Sequence, residues 1–248
     1  MKICFAFRSD QLAGNSDWEY AENNPLGGSE TALLRMASTF RELGHDVEVV
    51  NYEPDRVAFR RLMAAKQCDV FINLREPAGI LLLEGPVGKV NYYWAQDDID
   101  APVLRPLGTE KWRAEFYARL NGLFLLSNYQ RARWVSGLGL PLEKTHLITN
   151  PIPFDRFAPA QSQMRARGPR AFFASSPLRG LHYLLSGWPL VRRYVPNAEV
   201  HVFSSMAVNG LQEPEPAKAL YARAAETPGV SYHGAVSQRV LREADPRG

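Results

Sequence analysis

Short apolar runs alternate with segments of helical periodicity along most of the chain. The apolar runs are rich in Val, Ile and Phe and lack strict apolar–polar alternation, which is typical of strands buried on both faces of a parallel sheet. Strands and helices that alternate in this way indicate βαβ units and a doubly wound α/β fold. The pattern predicts strands at 2–7, 46–50, 70–74, 90–94, 122–126 and 145–149, with helices at 29–43, 57–66, 110–118 and 129–137.

A polar stretch at 158–169 interrupts the pattern, and this stretch predicts a linker. Beyond it the pattern restarts, with strands expected at 170–174, 199–203 and 230–232 and helices at 178–194, at 216–226 and from near 237. The sequence therefore predicts a complete Rossmann-type domain over 1–157 and a partial second one over 170–248. The unpaired edge of such a small sheet would favour a homodimer.

Charge and hydropathy narrow the class of ligand and the compartment. The 29 Lys and Arg residues against 26 Asp and Glu residues give a net charge of +3, which is too balanced to argue for a nucleic-acid partner. This balance permits a weakly basic cleft for an anionic ligand, or peripheral contact with a membrane. The first apolar run is too short for a signal peptide and no later run approaches a membrane span, so we expect a cytoplasmic protein. Cys4 and Cys68 fit buried small side chains in a reducing compartment.

Two glycines precede the first long helix. Gly27 and Gly28 stand before Ser29, a plausible N-cap, so the backbone can approach a ligand and the free amides favour an anion. A simple tight turn before a capped helix explains them equally well. The dinucleotide-binding fingerprint is absent, because a loop over 8–26 separates the glycines from the first strand. A loop of that length suggests a binding segment.

Arg179 lies near the start of the helix predicted at 178–194. A cation at a helix N-terminus is unfavourable by roughly 0.3–1 kcal/mol. A bound phosphate would reverse the sign, because the guanidinium and the helix amides would then act together. A solvated arginine on an exposed turn is the alternative interpretation.

Polar residues also follow two other predicted strands. Gln96, Asp97 and Asp98 lie at the carboxyl end of the fourth strand, where open α/β sheets bind ligands. The three acids Asp97, Asp98 and Asp100 would hold sugar hydroxyls or take up a proton, although a solvated acidic turn explains them equally well. After the last strand, Gly234 permits close backbone approach, whereas an isolated histidine such as His233 usually has a structural role.

In their order and spacing, these stretches resemble glycosyltransferase family 4 and related families with the GT-B fold of two Rossmann-type domains. The resemblance covers nearly the whole chain. The segments that carry it are 27–30 with 40–47, 126–130, 150–157, and 175–185 with 196 and 200–204.

The resemblance implies a retaining hexosyltransferase that needs no metal or other cofactor. It would transfer a sugar from a UDP- or GDP-linked donor to a glycan, a lipid-linked acceptor or a small molecule. Asp97 would be the catalytic residue facing the acceptor, with Gln96 and Asp98 on the acceptor side. The resemblance assigns the donor and its phosphates to Gly27, Gly28, Ser29, Arg179, Gly180, Ser204, His233 and Gly234.

The chain departs from the family at three points. Gln96 stands where the family often has histidine, Pro151 replaces the glycine of an Asn-Gly-Ile segment, and the chain ends before the family's acidic motif with two spaced glutamates. We therefore expect the 248-residue chain alone to bind nucleoside diphosphates weakly and to turn over poorly. Two alternatives remain: a non-catalytic relative that acts as a binding module, and another GT-B-like enzyme such as a sugar epimerase.

Overall fold

The computed structural model describes residues 1–12, 16–51, 56–64, 67–152 and 169–243. The chain divides into two compact units, one comprising Met1–Trp18 and Gly28–Ile152 and the other Glu19–Gly27 and Pro153–Gly248. Each unit contains a parallel sheet, which confirms the predicted α/β fold. The linker predicted at 158–169, like most of the family-like segment 150–157, lies almost entirely outside the described residues and stays a prediction.

The first unit is built on a six-stranded parallel sheet in the order β2-β1-β3-β4-β5-β6. The strand order reverses at β1, because the chain passes from β1 to β2 on one side and returns to β3 on the other. Open α/β sheets bind ligands beyond the carboxyl ends of the strands at such a point. The strands are β1 (Lys2–Phe7), β2 (Asp46–Asn51), β3 (Cys68–Leu74), β4 (Gly88–Trp94), β5 (Gly122–Leu125) and β6 (Thr145–Leu147).

Helices connect these strands and bury them. Residues Ile3–Phe7 of β1 are all buried, which explains why the strand reads as a continuous apolar run. Cys4 and Cys68 are buried thiols that form no disulfide, as their apolar surroundings predict. The helices of the first unit are α2 (Gly28–Glu42), α3 (Arg56–Ala64), α4 (Ala78–Leu81), α5 (Glu110–Ala118) and α6 (Asn128–Leu138), with 3-10 segments at Pro102–Gly108 and Leu142–Lys144. Helix α1 (Trp18–Asn23) belongs, apart from Trp18, to the second unit.

Helix α6 shows how local sequence fixes the ends of an element. The Ser127 hydroxyl accepts the Gln130 amide at 3.1 Å and so caps the N-terminus. At the other end Gly139 adopts a φ of 63°, a left-handed conformation that glycine takes without the steric penalty of a side chain. The predicted helix 129–137 therefore extends by one residue at each end.

The second unit contains a three-stranded parallel sheet in the order β7-β8-β9. Leu181, Leu185 and Ala224 pack with Val202 of the central strand, so α7 and α8 cover the same face of the sheet. The elements are β7 (Arg170–Phe173), α7 (Leu181–Tyr194), β8 (Glu199–Val202), α8 (Glu215–Glu226), β9 (Val230–Tyr232) and α9 (Gln238–Glu243), with a 3-10 turn at Ala207–Asn209.

Two predicted segments differ from the structure. The loop predicted at 8–26 contains α1, whose six residues are too few to show helical periodicity. Helix α7 begins at Leu181 rather than at 178, because Gly180 adopts a φ of 112° and ends the preceding turn. No helix within the described ranges combines the length and apolar character that crossing a membrane requires.

Candidate functional site

The carboxyl end of β1 is held to β2 and α2 by Ser9. The Ser9 amide donates to Asn51 Oδ1 at 2.9 Å, and Asn51 Nδ2 donates back to the Ser9 carbonyl at 2.6 Å. The Ser9 hydroxyl donates to Glu30 Oε1 at 3.0 Å, and both residues are buried. These contacts hold the start of α2 at the point where the strand order reverses.

The predicted glycine loop lies at this helix start. Helix α2 begins at Gly28, so Ser29 lies inside the first turn rather than at the cap. Glycine is itself accepted at helix starts, and Glu30 supplies a carboxylate where the helix dipole favours one. A Cβ added to Gly28 would meet no atom within 4 Å, so the space beside this backbone is open.

Arg75 and Asp97 form an ion pair across the ends of two neighbouring strands. Arg75 follows β3 and Asp97 lies three residues beyond β4, and Arg75 Nε donates to Asp97 Oδ2 at 2.7 Å. The Asp97 side chain is only 15% exposed. Burial of the Arg75 guanidinium opposes its charge, but the carboxylates of Asp97, Glu30 and Glu76, Asp97 foremost, together more than compensate and raise the Arg75 pKa. Asp97 Oδ1 has no hydrogen-bond partner among the residues that the structure describes.

The backbone of Arg75 is strained. Its φ of 69° is the one left-handed value of a non-glycine residue in the described ranges. The Arg75 amide donates to the Trp94 carbonyl at 3.0 Å, and the Tyr93 hydroxyl donates to the Arg75 carbonyl. Such a conformation costs about 1–3 kcal/mol and persists where surrounding contacts impose it, often at functional sites.

Glu76 follows Arg75 and adds a second carboxylate, besides that of Asp97, to this edge of the sheet. Burial raises the pKa of Glu76, while Arg8, at 4.0 Å between Nη1 and Oε2, acts in the opposite direction. Sequence reasoning missed both Arg75 and Glu76. The sequence did contain a signal for these two residues, because they are charged and directly follow an apolar strand. The position after a strand is also what singled out Asp97.

The other two acceptor-side candidates make internal contacts. Gln96 and Asn150 exchange two side-chain hydrogen bonds, at 3.0 and 3.1 Å. Asp98 accepts the Ile99 amide at 2.7 Å and pairs with Arg133, which also contacts Asp100. The acidic turn is therefore divided: Asp98 and Asp100 share one arginine of α6, and Asp97 is buried beside Arg75.

Buried Gln130 fixes the backbone at Asp97. Gln130 Nε2 donates to the Asp97 carbonyl at 2.9 Å, and Gln130 Oε1 accepts the Leu126 amide at 2.7 Å. The amide side chain thus joins the loop after β4 to the end of β5. Gln130 lies in the family-like segment 126–130, but nothing in the sequence assigned it this contact.

In the second unit, the turn after β7 exposes Arg179. The Arg179 amide donates to the Ser176 carbonyl at 3.0 Å, and the Gly180 carbonyl accepts the Leu184 amide at 3.2 Å in the first turn of α7. Within the described ranges, neither the Arg179 guanidinium nor the Gly180 amide has a partner. A cation with no counter-charge therefore lies immediately before the start of α7, as expected of either a phosphate ligand or a solvated arginine.

Ser204 joins the carboxyl ends of all three strands of the second unit. Its buried hydroxyl donates to the Ser175 carbonyl after β7 at 2.6 Å. The Tyr232 hydroxyl, at the end of β9, donates to the Ser204 carbonyl at 3.0 Å. These contacts hold Ser204 rigidly beside the turn that contains Arg179.

Glu213 braces the loop that follows Ser204. Its Oε1 accepts the Ser205 hydroxyl at 2.5 Å and the Met206 amide at 2.9 Å, and its Oε2 accepts the Tyr221 hydroxyl at 2.8 Å. Burial raises the pKa of Glu213, but the donated hydrogen bonds outweigh burial and leave the pKa below its ordinary value. No sequence signal marked this residue.

His233 is not an isolated histidine. Its Nε2 lies 2.9 Å from His201 Nδ1, a hydrogen bond in which one ring donates and the other accepts. The rings are stacked at 11°, and Phe203 stacks on His233 with centroids 4.6 Å apart. Burial, followed by the charges of His233 and Arg170, lowers the pKa of His201. Gly234 has a φ of 70°, so the backbone itself favours glycine there.

Comparison with known proteins gives the fold. Anabaena HepE in complex with UDP and glucose is 14% identical, with a TM-score of 0.60 over 95% of this chain and 69% of that chain. For a glycosyltransferase from Rickettsia africae the identity is 11% and the TM-score 0.61, over 98% of this chain and 70% of that chain. Sucrose-phosphate synthase from Thermosynechococcus elongatus is 10% identical, with a TM-score of 0.62 over 98% of this chain and 72% of that chain.

No protein-family model and no curated protein sequence matches the chain. At identities of 10–14% the structural likeness shows the fold alone. The chain has the α/β, GT-B-like fold, with Rossmann-type units, that these solved glycosyltransferase structures share.

Proposed function

We propose that the chain is a nucleotide-sugar glycosyltransferase, and that it retains the anomeric configuration as the resemblance to glycosyltransferase family 4 implies. The observation that carries the proposal is the exposed guanidinium of Arg179 just before α7, which pairs with no other residue that the structure describes. The diphosphate of a nucleotide sugar would turn this unfavourable cation into a favourable contact. HepE, which has the same fold, is known in complex with UDP-glucose.

The donor diphosphate would bind Arg179 together with the free amide of Gly180. Ser204, His233 and Gly234 lie on the neighbouring strand ends of the same unit, and we assign them to the nucleotide side. In the first unit, the amides of Gly28 and Ser29 at the start of α2 are donors of the kind that bind phosphates, and the family resemblance assigns Gly27 to the same role. Gly28 suits this role because the space beside its Cα is open.

The acceptor would bind at the carboxyl edge of the sheet in the first unit. Arg75 occupies Asp97 Oδ2, which leaves Oδ1 for an acceptor hydroxyl. The ion pair fixes the Asp97 side chain in place, so that it would orient the hydroxyl and polarise its O–H bond. Gln96 and Asp98 would contact the acceptor only with atoms that their internal hydrogen bonds leave unused.

In the transfer itself, the bond between the anomeric carbon and the diphosphate oxygen breaks, and the acceptor oxygen bonds to that carbon on the same face. The acceptor proton passes to the departing diphosphate oxygen, so the products are the glycoside and the protonated nucleoside diphosphate. Negative charge grows on the departing diphosphate, where Arg179 and the Gly180 amide would stabilise it.

Binding of nucleoside diphosphates to the full chain tests the proposal. Titration calorimetry with UDP and GDP should show binding of at least one, and Arg179→Ala should weaken it about tenfold or more, since a hydrogen bond to a charged group contributes about 1.5–3 kcal/mol. Arg193→Ala is the matched control, because Arg193 is exposed at the opposite end of α7. Equal affinities of the two variants would remove Arg179 from the site.

Product analysis separates the remaining functions. A transferase releases free UDP or GDP together with a glycoside whose anomeric configuration NMR can assign. An isomerised sugar would indicate an epimerase, and binding without any product from a panel of acceptors would indicate a binding module.

A further inference from the structure

Helix α7 presents an apolar stripe to solvent. Tyr183, Leu190 and Tyr194 are 74%, 58% and 77% exposed. They are spaced by seven and eleven positions, about two and three helical turns, so they lie along one side of the helix. Val191 flanks this outer stripe and is also exposed.

The opposite side of α7 is also apolar. Leu181, Leu185 and Trp188 are buried in the second unit. A helix that is apolar on both sides is normally covered on both. The outer stripe exposes on the order of 400 Å² of largely apolar side chain, which is the size of the largest apolar patch on a typical monomer, and such a patch is often functional.

Basic side chains lie beside the outer stripe. Helix α7 contains no acidic residue, and Arg192 and Arg193 lie in its last turn. Arg223 of α8 reaches Ser186 of α7, with Nη2 and Oγ 3.2 Å apart, and so lies beside the middle of the stripe. An apolar stripe with arginines beside it complements an anionic lipid surface.

The dimensions of α7 fit a helix that lies on a bilayer. Its 14 residues span about 21 Å, short of the roughly 30 Å of a hydrocarbon core. Tyrosine prefers the membrane–water interface, and Tyr183 and Tyr194 stand near the two ends of the stripe. A second copy of the chain is a poorer fit, because a stable dimer buries about 800 Å² per partner, roughly twice what the stripe offers.

We propose that the outer face of α7 binds the surface of an anionic lipid bilayer. Tyr183, Leu190 and Tyr194 enter the headgroup region, while Arg193 and Arg223 contact lipid phosphates. This interaction does not depend on the proposed transferase activity, because it concerns a surface formed by α7 and α8 alone.

Sedimentation of the full chain with vesicles tests the proposal. The vesicles contain phosphatidylcholine and phosphatidylglycerol in equal parts, and vesicles of phosphatidylcholine alone serve as the uncharged comparison. We expect binding to the anionic vesicles that weakens with salt. The double variant Tyr183→Ser/Tyr194→Ser should lower the partition coefficient about tenfold or more, because it removes two apolar groups from the contact. Arg193→Glu should weaken binding to the anionic vesicles selectively.

Tyr129→Ser is the matched control, since Tyr129 is 68% exposed on α6 of the first unit. Circular dichroism and thermal unfolding establish that each variant is folded. Absence of wild-type binding to the anionic vesicles, or equal binding of the wild type and the double variant, would overturn the proposal. Light scattering that shows a dimer which the double variant converts to monomer would also overturn it, in favour of a second copy.

Discussion

Arg75 and Asp97 are 22 positions apart in sequence and meet at 2.7 Å, one after β3 and the other after β4. The pair exists because β3 and β4 are parallel neighbours, so the residues that follow them lie at the same edge of the sheet. Contacts from Tyr93 and Trp94 of β4 hold the turn at Arg75 in its left-handed backbone conformation. This turn presents the Arg75 side chain to Asp97.

The strain at Arg75 predicts that a glycine substituted there is more stable than an alanine, which is the reverse of the usual order. Arg75→Gly and Arg75→Ala both remove the ion pair, but glycine tolerates the φ of 69° and alanine does not. We therefore expect Arg75→Gly to be the more stable of the two by about 1 kcal/mol, although glycine usually destabilises relative to alanine. Urea unfolding of the two variants measures the difference. If the alanine variant proves more stable, the turn does not store strain.

The difference in burial between Asp97 and Asp100 predicts that only one of them affects transfer. Once a donor and an acceptor are identified, Asp97→Asn should lower the transfer rate about a hundredfold or more, because the amide no longer polarises the acceptor hydroxyl. Asp100→Asn is the control, since Asp100 belongs to the same turn but its side chain is 80% exposed. Steady-state rates at saturating donor provide the comparison, and similar rates for the two variants would exclude Asp97 as the catalytic residue.

The open space beside Gly28 predicts that a methyl group there leaves the fold intact. Gly28→Ala meets no atom within 4 Å and should unfold at the same temperature as the wild type or slightly above it. Gly180→Ala, at a φ of 112°, should lower the unfolding temperature. If the α2 start binds phosphate, Gly28→Ala weakens binding of a nucleotide sugar despite its intact fold, which calorimetry would detect. Unchanged affinity would assign Gly27 and Gly28 to a simple turn.

The lowered pKa of His201 predicts a loss of stability in mild acid. The folded state favours the neutral form of this ring, because burial, His233 and Arg170 lower its pKa and Glu199 opposes them only in part. Because the folded pKa lies below the unfolded value of 6.5, stability is present above that pH and declines as the pH falls through the folded pKa. Unfolding by urea between neutral pH and about pH 5 should show this decline.

The variant His201→Phe separates this titration from the acid sensitivity of other groups. Phenylalanine keeps an aromatic ring next to Phe172 and Phe203 but cannot take up a proton. The decline should therefore flatten in His201→Phe and persist in His182→Gln, which removes an exposed histidine of α7. An equal decline in both variants would contradict the assignment to His201.

Much of the fold could be predicted from the sequence because it depends on local signals. Strand β1 is a continuous apolar run since helices bury it on both sides, and α6 carries a capping serine and a terminal glycine. Helix α1 escaped notice because six residues make fewer than two turns. The start of α7 was misplaced because the sequence does not reveal which glycines adopt a left-handed conformation, as Gly180 does.

The candidate site was less predictable because its contacts join residues that are distant in sequence. The position of Asp97 after a strand was sufficient to select it, but its pairing with Arg75 depends on the order of strands in the sheet. His201 and His233 are 32 positions apart and meet because β8 and β9 are neighbours. Gln96 and Asn150 were each noted for separate reasons, and nothing local indicates that their side chains exchange hydrogen bonds.

Ser204 has a consequence for how substitutions in the second unit combine. Strands β7 and β9 are not neighbours in the sheet. Ser204 nevertheless links them, because its hydroxyl donates to the Ser175 carbonyl after β7 and its carbonyl accepts the Tyr232 hydroxyl at the end of β9. Residues that share such a junction do not contribute independently to stability. Once Ser204→Ala has released the Ser175 carbonyl, adding Tyr232→Phe should cost less than it does alone, so the free energies of unfolding of the two variants will not add.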